Sequence, residues 1–131
     1  MDKYLEILRE SGSKVTRQRK MVLDILLKRN QPLSQGEIFS RCRDIDFASV
    51  FRTIQLFRSI GIVREINMCD NKIRYEIAGN KPHHHISCSK CGKIETIDFC
   101  IVDDVQKMTN YNITNHMMEF QGICPDCKAA N

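Results

Sequence analysis

Two Cys-x-x-Cys pairs, Cys88/Cys91 and Cys124/Cys127, flank a 32-residue stretch in the C-terminal part of the chain. A tight turn at each pair aims two sulfurs at one point, and two such turns brought together form a closed tetrahedral thiolate cage. Gly92 after Cys91 and Pro125 inside the second pair suit those turns. Two redox dithiols are the competing reading, but the double pair favours Zn2+. Four thiolates leave no open coordination position, so the ion contributes folding energy and no catalysis. Cys42, Cys69 and Cys100 have no partner at such spacing. Each reads as a small core or surface residue, with Cys69 kept as a possible extra ligand.

His83, His84 and His85 lie just upstream of the first pair. On a strand, His83 and His85 point one way and His84 the other. Two imidazole sites on opposite faces follow. Glu76 is a candidate partner for His83 and His85. His116 and an acid, Asp103 or Asp104, are candidates for His84. Imidazole with carboxylate suits Zn2+, Fe2+, Mn2+ or Ni2+. No H-E-x-x-H or deaminase-type motif is present, so a catalytic metal site is not expected and the chain does not read as an enzyme.

Charge divides the chain in the same place. Residues 1–81 hold 16 Lys and Arg against 10 Asp and Glu, whereas residues 82–131 hold 4 against 6. A basic first part suggests a polyanion partner, and the histidines all fall in the second part. The N-terminus Met1-Asp2-Lys3-Tyr4 has no apolar leader and no apolar run approaches membrane-spanning length, so a cytoplasmic protein is expected. In that compartment paired cysteines are more often metal ligands than disulfides.

Local patterns predict an α+β chain. Leu5, Ile7 and Leu8 suggest a short helix ending near Ser11-Gly12. Thr16 caps a second helix running to about Arg29, and Asn30-Gln31-Pro32-Leu33 breaks it. Ser34-Gln35-Gly36-Glu37 has the form of a capping box opening a third helix. A fourth runs from Phe47 or Ala48 to Ile60, with Val50, Ile54 and Phe57 as a buried stripe and Gly61 as its stop. Residues 62–66 and 73–77 alternate as a hairpin about Asp70-Asn71. Helix, helix, helix and β-hairpin with a basic balance is the pattern of a winged helix-turn-helix. Gly79-Asn80-Lys81-Pro82 is the natural break. The expected division is a winged-helix domain over 1–78, a hinge over 79–82 and a metal-binding dimerisation domain over 83–131. In the last, Lys93–Ile97 reads as a strand, Ile101–Met108 as a helix and Ile113–Gln121 as a returning strand.

Taken together these residues resemble the ferric-uptake-regulator (Fur) family of metal-responsive repressors, from about Val15 to Cys127. Val15-Thr16-Arg17-Gln18-Arg19 is similar to the family's opening T-x-Q-R. Ala48-Ser49-Val50-Phe51-Arg52 is similar to its recognition-helix motif A-T-V-Y-R. His83-x-His85-x-x-Cys88-x-x-Cys91-Gly92-Lys93 is similar to H-x-H-x-x-C-x-x-C-G-K, and Asn115-His116 with Gly122-x-Cys124-x-x-Cys127 to its C-terminal signature. The resemblance implies a winged-helix DNA-binding domain joined to a small α/β dimerisation domain with structural zinc. It implies a homodimer that binds a palindromic operator in double-stranded DNA when metal-loaded. It maps a sensory site onto Glu76, His83 and His85, and a second site onto His84, His116 and Asp103.

Certain departures stand out. Where many members place a histidine before the third helix, this chain has Pro32, which cannot ligate. Another residue, such as Glu65, is then a candidate. Phe51 stands for the usual Tyr and Ser49 for Thr. For DNA, Ser49 and Arg52 are the polar reachers, and Phe51 is either a thymine-methyl contact or a core residue. Lys14, Arg17, Arg19 and Arg58 are phosphate or minor-groove candidates, and Thr16 is a further DNA-binding candidate. A peroxide sensor of the same family and a metal-binding module without DNA function are the alternatives.

Overall fold

The structure, a computed structural model, describes residues 1–29, 31–68, 70–79, 83–99 and 101–130. The readings of Cys69 as an extra ligand, of Cys100 as a core or surface residue and of residues 80–82 as part of a hinge lie outside the described residues. The chain divides into two compact units, Met1–Gly79 and Asn80–Asn131.

Among the described residues, the first unit carries four helices and three short strands. Helix α1 (Asp2–Glu10) is followed by α2 (Arg17–Lys28), whose first turn is capped by Thr16 accepting from the Arg19 N–H at 3.2 Å. Leu33–Ser34 forms a two-residue strand, β1. Ser34 then caps α3 (Gln35–Ser40) in a full capping box, with Ser34 N–H donating to Glu37 Oε1 and Glu37 N–H to Ser34 Oγ. Helix α4 (Phe47–Ser59) has Asp46 as its cap. It stops at Gly61, whose φ of +83° only glycine adopts at low cost, while Ile62 N–H reaches back to Phe57 O. Strands β2 (Val63–Asn67) and β3 (Ile73–Ile77) form the antiparallel wing. The short β1 pairs on the other side of β3, giving the order β1-β3-β2.

One hydrophobic core serves all of this. Leu8, Val22, Leu23, Ile38, Val50, Ile54, Phe57 and Ile62 are fully buried, joined by Leu33, Val63, Tyr75 and Ile77 from the sheet. Each large side chain so buried is worth about 1.5–3 kcal/mol. The cost of orienting α4 is thus met by its inner face, which leaves its outer face available for contact.

The second unit is built on β4 (His84–Cys88), flanked by β5 (Ile94–Ile97) antiparallel and β6 (Glu119–Gly122) parallel. Helix α5 (Val102–Lys107) lies in the connection and α6 (Pro125–Ala129) ends the unit. The expected strand over Ile113–Gln121 is corrected: only its last part pairs, as β6, and residues 112–118 form no ladder. Side chains occupy backbone groups there instead. Gln106 Oε1 accepts from Ile113 N–H at 2.9 Å, its amide donates to Tyr111 O, and a His84 ring nitrogen meets Met118 O. Among the described residues Cys88 and Ile94 are the buried apolar side chains of this unit, while Phe99, Met108, Tyr111, Met117, Phe120 and Ile123 are exposed. So thin a core needs a metal staple and a second subunit.

Candidate metal centres and DNA-reading face

The cysteines converge. Cys88 ends β4 and enters a turn in which Gly92, φ +77°, donates its N–H to Cys88 O at 2.9 Å. Cys124 caps α6, whose first turn brings Cys127 N–H to Cys124 Sγ at 3.4 Å. Ser89 N–H donates to Gly122 O at 2.8 Å and ties the two turns together. The four Sγ atoms lie within 4.8 Å of one another, and Cys91 Sγ is 3.7 Å from Cys124 Sγ.

Backbone donors are already aimed at the sulfurs. The Cys124 N–H and then the Cys91 N–H point at Cys88 Sγ, at 3.3 and 3.5 Å, and bring the Cys88 thiol down to about 6. Hydrogen bonding with Cys124 pushes Cys127 up to about 12. Four thiols this close cannot all ionise as bare anions, whereas a central dication removes the repulsion. An all-sulfur tetrad of this kind fits Zn2+.

Strand β4 also sorts the histidines by face. The His83 and His85 rings meet edge to face, centroids 4.9 Å apart, and on the other side His84 meets His116 at 5.3 Å. His85 is 1 % exposed; its backbone N–H donates to Glu119 Oε2 at 3.2 Å, and its Nδ1 lies 3.5 Å from the same oxygen. The Glu119 carboxylate thus lies beside Nδ1 without hydrogen-bonding to it. His84 is 5 % exposed, and its Nδ1 meets Met118 O at 2.9 Å. A carbonyl only accepts, so Nδ1 carries the proton. His84 Nε2 is left buried without a hydrogen-bond partner, and with Nδ1 protonated its lone pair can accept a ligand. Asp103, exposed in the first turn of α5, does not form a three-ligand cluster with His84 and His116 among the described residues. Glu76, on β3, receives Arg64 from the facing strand. Glu65 pairs with Arg58 at 2.8 Å, so these two candidate residues are engaged with each other.

Sequence reasoning missed Glu119. The parallel pairing of β4 with β6 sets His85 beside Glu119 and Cys88 beside Gly122. His85 lies three residues before Cys88 and Glu119 five before Cys124, so spacing alone gave no signal.

On the first unit, the start of α2 meets the start of α4. Thr16, Gln18, Arg19, Ser49, Arg52 and Thr53 line a cleft of about 220 Å3. Arg19 Nη1 donates to Lys14 O at 2.6 Å, and Arg52 Nη2 to Ser49 Oγ at 3.1 Å, while Ser49 Oγ also bonds to the Asp46 carboxylate. That hydroxyl holds the Asp46 carboxyl below its ordinary range. Phe51 is 46 % exposed, so the core reading of that residue is set aside. Arg17, Lys20, Arg41 and Arg43 line a second, larger groove of the same unit.

The sequence model described as "Ferric uptake regulator family" matches residues 10–121. The chain belongs to the ferric uptake regulator family. Within this family it is 30 % identical to the "Peroxide-responsive repressor PerR" of Staphylococcus saprophyticus, over 92 % of this chain and 86 % of that protein. The ferric uptake regulator Fur of Vibrio cholerae superposes with a TM-score of 0.78 at 26 % identity, covering 92 % of this chain and 99 % of that one. The Helicobacter pylori Fur structure, at 24 % identity, shares the fold with a TM-score of 0.83 over 97 % of this chain and 90 % of its own. As a Fur-family member the chain is a metal-responsive regulator that binds DNA as a homodimer, with an N-terminal winged helix-turn-helix and a C-terminal dimerisation domain. No helix among the described residues is long and apolar enough to cross a membrane.

Proposed function

We propose that the chain is a cytoplasmic, non-enzymatic transcriptional repressor with two kinds of metal site. Cys88, Cys91, Cys124 and Cys127 hold structural Zn2+. Glu76, His83 and His85 hold a regulatory divalent metal (Zn2+, Fe2+, Mn2+ or Ni2+), and His84 and His116 form the nucleus of a second site. Lys14, Thr16, Arg17, Arg19, Ser49, Phe51 and Arg52 contact the operator. One observation carries this reading: a single strand bears Cys88 at its end and imidazoles on both faces, so a thiolate cage and imidazole sites share one backbone. The donor sets differ in softness, which lets a permanent ion and an exchangeable one coexist.

Bound at Glu76, His83 and His85, a divalent cation supplies positive charge and fixed ligand directions. Glu76 precedes the 79–82 segment and the two histidines follow it in the chain. Side chains shared in this way restrict that segment and raise the population that fits two half-sites at once. The test is a duplex recovered by selection from a random library, titrated by fluorescence anisotropy. Protein stripped of exchangeable metal but retaining its zinc should bind at least about 10-fold more weakly than the replenished protein. Equal affinity overturns the reading.

A peroxide-sensing variant of this function draws support from the named role of the S. saprophyticus relative. Fe2+-loaded protein exposed to hydrogen peroxide should then lose DNA binding and gain one oxygen on the peptide carrying His83–His85. Unchanged mass with retained binding excludes it.

A further inference from the structure

Helix α4 has an unusual outer face. Its inner stripe, Val50, Thr53, Ile54 and Phe57, is buried. At its start Phe47 and Phe51, one turn apart, are 51 % and 46 % exposed. Phe39 of α3, itself 36 % exposed, meets Phe47 edge to face with centroids 5.3 Å apart. Three of the chain's six phenylalanines are thus in this exposed cluster, although the unit has a well-filled core. Residues i and i+4 share a helix face, so Phe47 and Phe51 present one apolar surface. The polar reachers Ser49 and Arg52 lie further round the same stretch of helix.

We infer that Phe47 is a base-reading residue, positioned by Phe39, and that with Phe51 it recognises the C5 methyl groups of thymines in the major groove. This rests on α4 being the DNA-reading helix. Thymine alone among the four bases offers a methyl to that groove, and an aromatic ring beside it excludes water from both. The occupant is double-stranded DNA because the rings stand at the start of the same helix as Ser49 and Arg52, which line a cleft with Arg19. Asp46 faces the same helix start, but its carboxylate is engaged by the Ser49 N–H and hydroxyl.

The experiment uses the full-length, metal-replenished dimer and the duplex recovered by selection, with each thymine replaced singly by deoxyuridine. At one or more positions the loss of the methyl should weaken wild-type binding about three- to tenfold. Phe47→Ala should weaken binding to the thymine duplex by a similar factor and show no further loss on the deoxyuridine duplex at its position. Phe39→Ala, which leaves Phe47 in place but unsupported, should show a smaller loss confined to that same position. Additive losses for Phe47→Ala and deoxyuridine at every position overturn the proposal, as does Phe47→Ala binding like wild type. If wild type selects a duplex but Arg52→Ala and Phe47→Ala both bind it like wild type, the assignment of α4 as the reading helix has failed as well. Circular dichroism confirms that each variant is folded, as expected for exposed side chains.

Discussion

Arg64 faces Glu76 directly across the β2–β3 ladder, and its Nε donates to Glu76 Oε1 at 2.7 Å. A second guanidinium nitrogen reaches the same oxygen. The Glu76 side chain is only 11 % exposed, whereas Arg64 is 40 % exposed. The guanidinium therefore aligns a carboxylate that is proposed to ligate metal, while solvent screens much of its repulsion toward a cation.

Alignment should win over repulsion. Arg64→Ala is expected to weaken the regulatory metal about 10-fold, the usual effect of losing a residue that orients a ligand. Competition against a chromophoric chelator measures this. A gain in affinity would show that Arg64 opposes the metal.

The cysteine site should behave differently. Cys91→Ser or Cys127→Ser removes a ligand from a unit with few buried apolar side chains. Loss of zinc, shown by elemental analysis, should accompany loss of ordered structure in residues 83–130, since structural zinc supplies about 10 kcal/mol or more of folding free energy in small zinc domains. His83→Ala with His85→Ala should keep one zinc per chain and lose the metal dependence of DNA binding. A zinc-free Cys127→Ser protein that stays folded and dimeric would overturn the structural role.

The parts of the fold that were legible in the sequence were those set by local chemistry. Thr16, the Ser34/Glu37 box and Gly61 each act within one helical turn, and each does in the structure what its residue type dictates. The alternation of His83, His84 and His85 is equally local, and it sorted the rings onto opposite sides of β4. What could not be read depends on remote partners. The strand β1 exists because Leu33 is buried opposite Tyr75, 42 positions away. Residues 113–118 fall within the expected strand, yet Gln106 and His84 take backbone groups that a ladder would use. Periodicity reports which residues suit a strand, and pairing requires a neighbour.

Asp70 gives a pH dependence. Its carboxylate pairs with both terminal nitrogens of Arg74, at 3.0 and 2.7 Å, and those hydrogen bonds bring its pKa to about 2. A depressed carboxyl stabilises the fold above its unfolded pKa of about 3.9 and loses that contribution as pH falls through the folded value. The window here runs from about pH 4 down to about pH 2. Asp70 is 36 % exposed, so solvent screening reduces the effect to about 1 kcal/mol. Asp70→Asn should cost that same amount at pH 7, about 1 kcal/mol, because the Arg74 side chain, only 8 % exposed, loses its ionised partner. Urea midpoints for both proteins should differ at pH 7, converge below pH 4 and coincide near pH 2. A difference that persists unchanged at pH 2 would remove the ion pair as its cause.

His84 makes the last prediction, about the second metal site. Its Nδ1 is committed to Met118 O, and its buried Nε2 faces no protein hydrogen-bond partner among the described residues. The ring of His116 lies beside it. Two imidazoles are a sufficient nucleus for a weak site, whereas Asp103 is not clustered with them. In a Co2+ titration followed in the visible region, His84→Ala and His116→Ala should each abolish the same weak binding phase. His83→Ala should leave that phase intact and remove the tighter one. Asp103→Asn should shift the weak phase by less than about threefold, since a carboxylate outside the cluster contributes mainly a screened charge. If Asp103→Asn abolishes the phase as fully as His84→Ala, α5 moves in to complete the site on metal binding, and Asp103 is a true ligand.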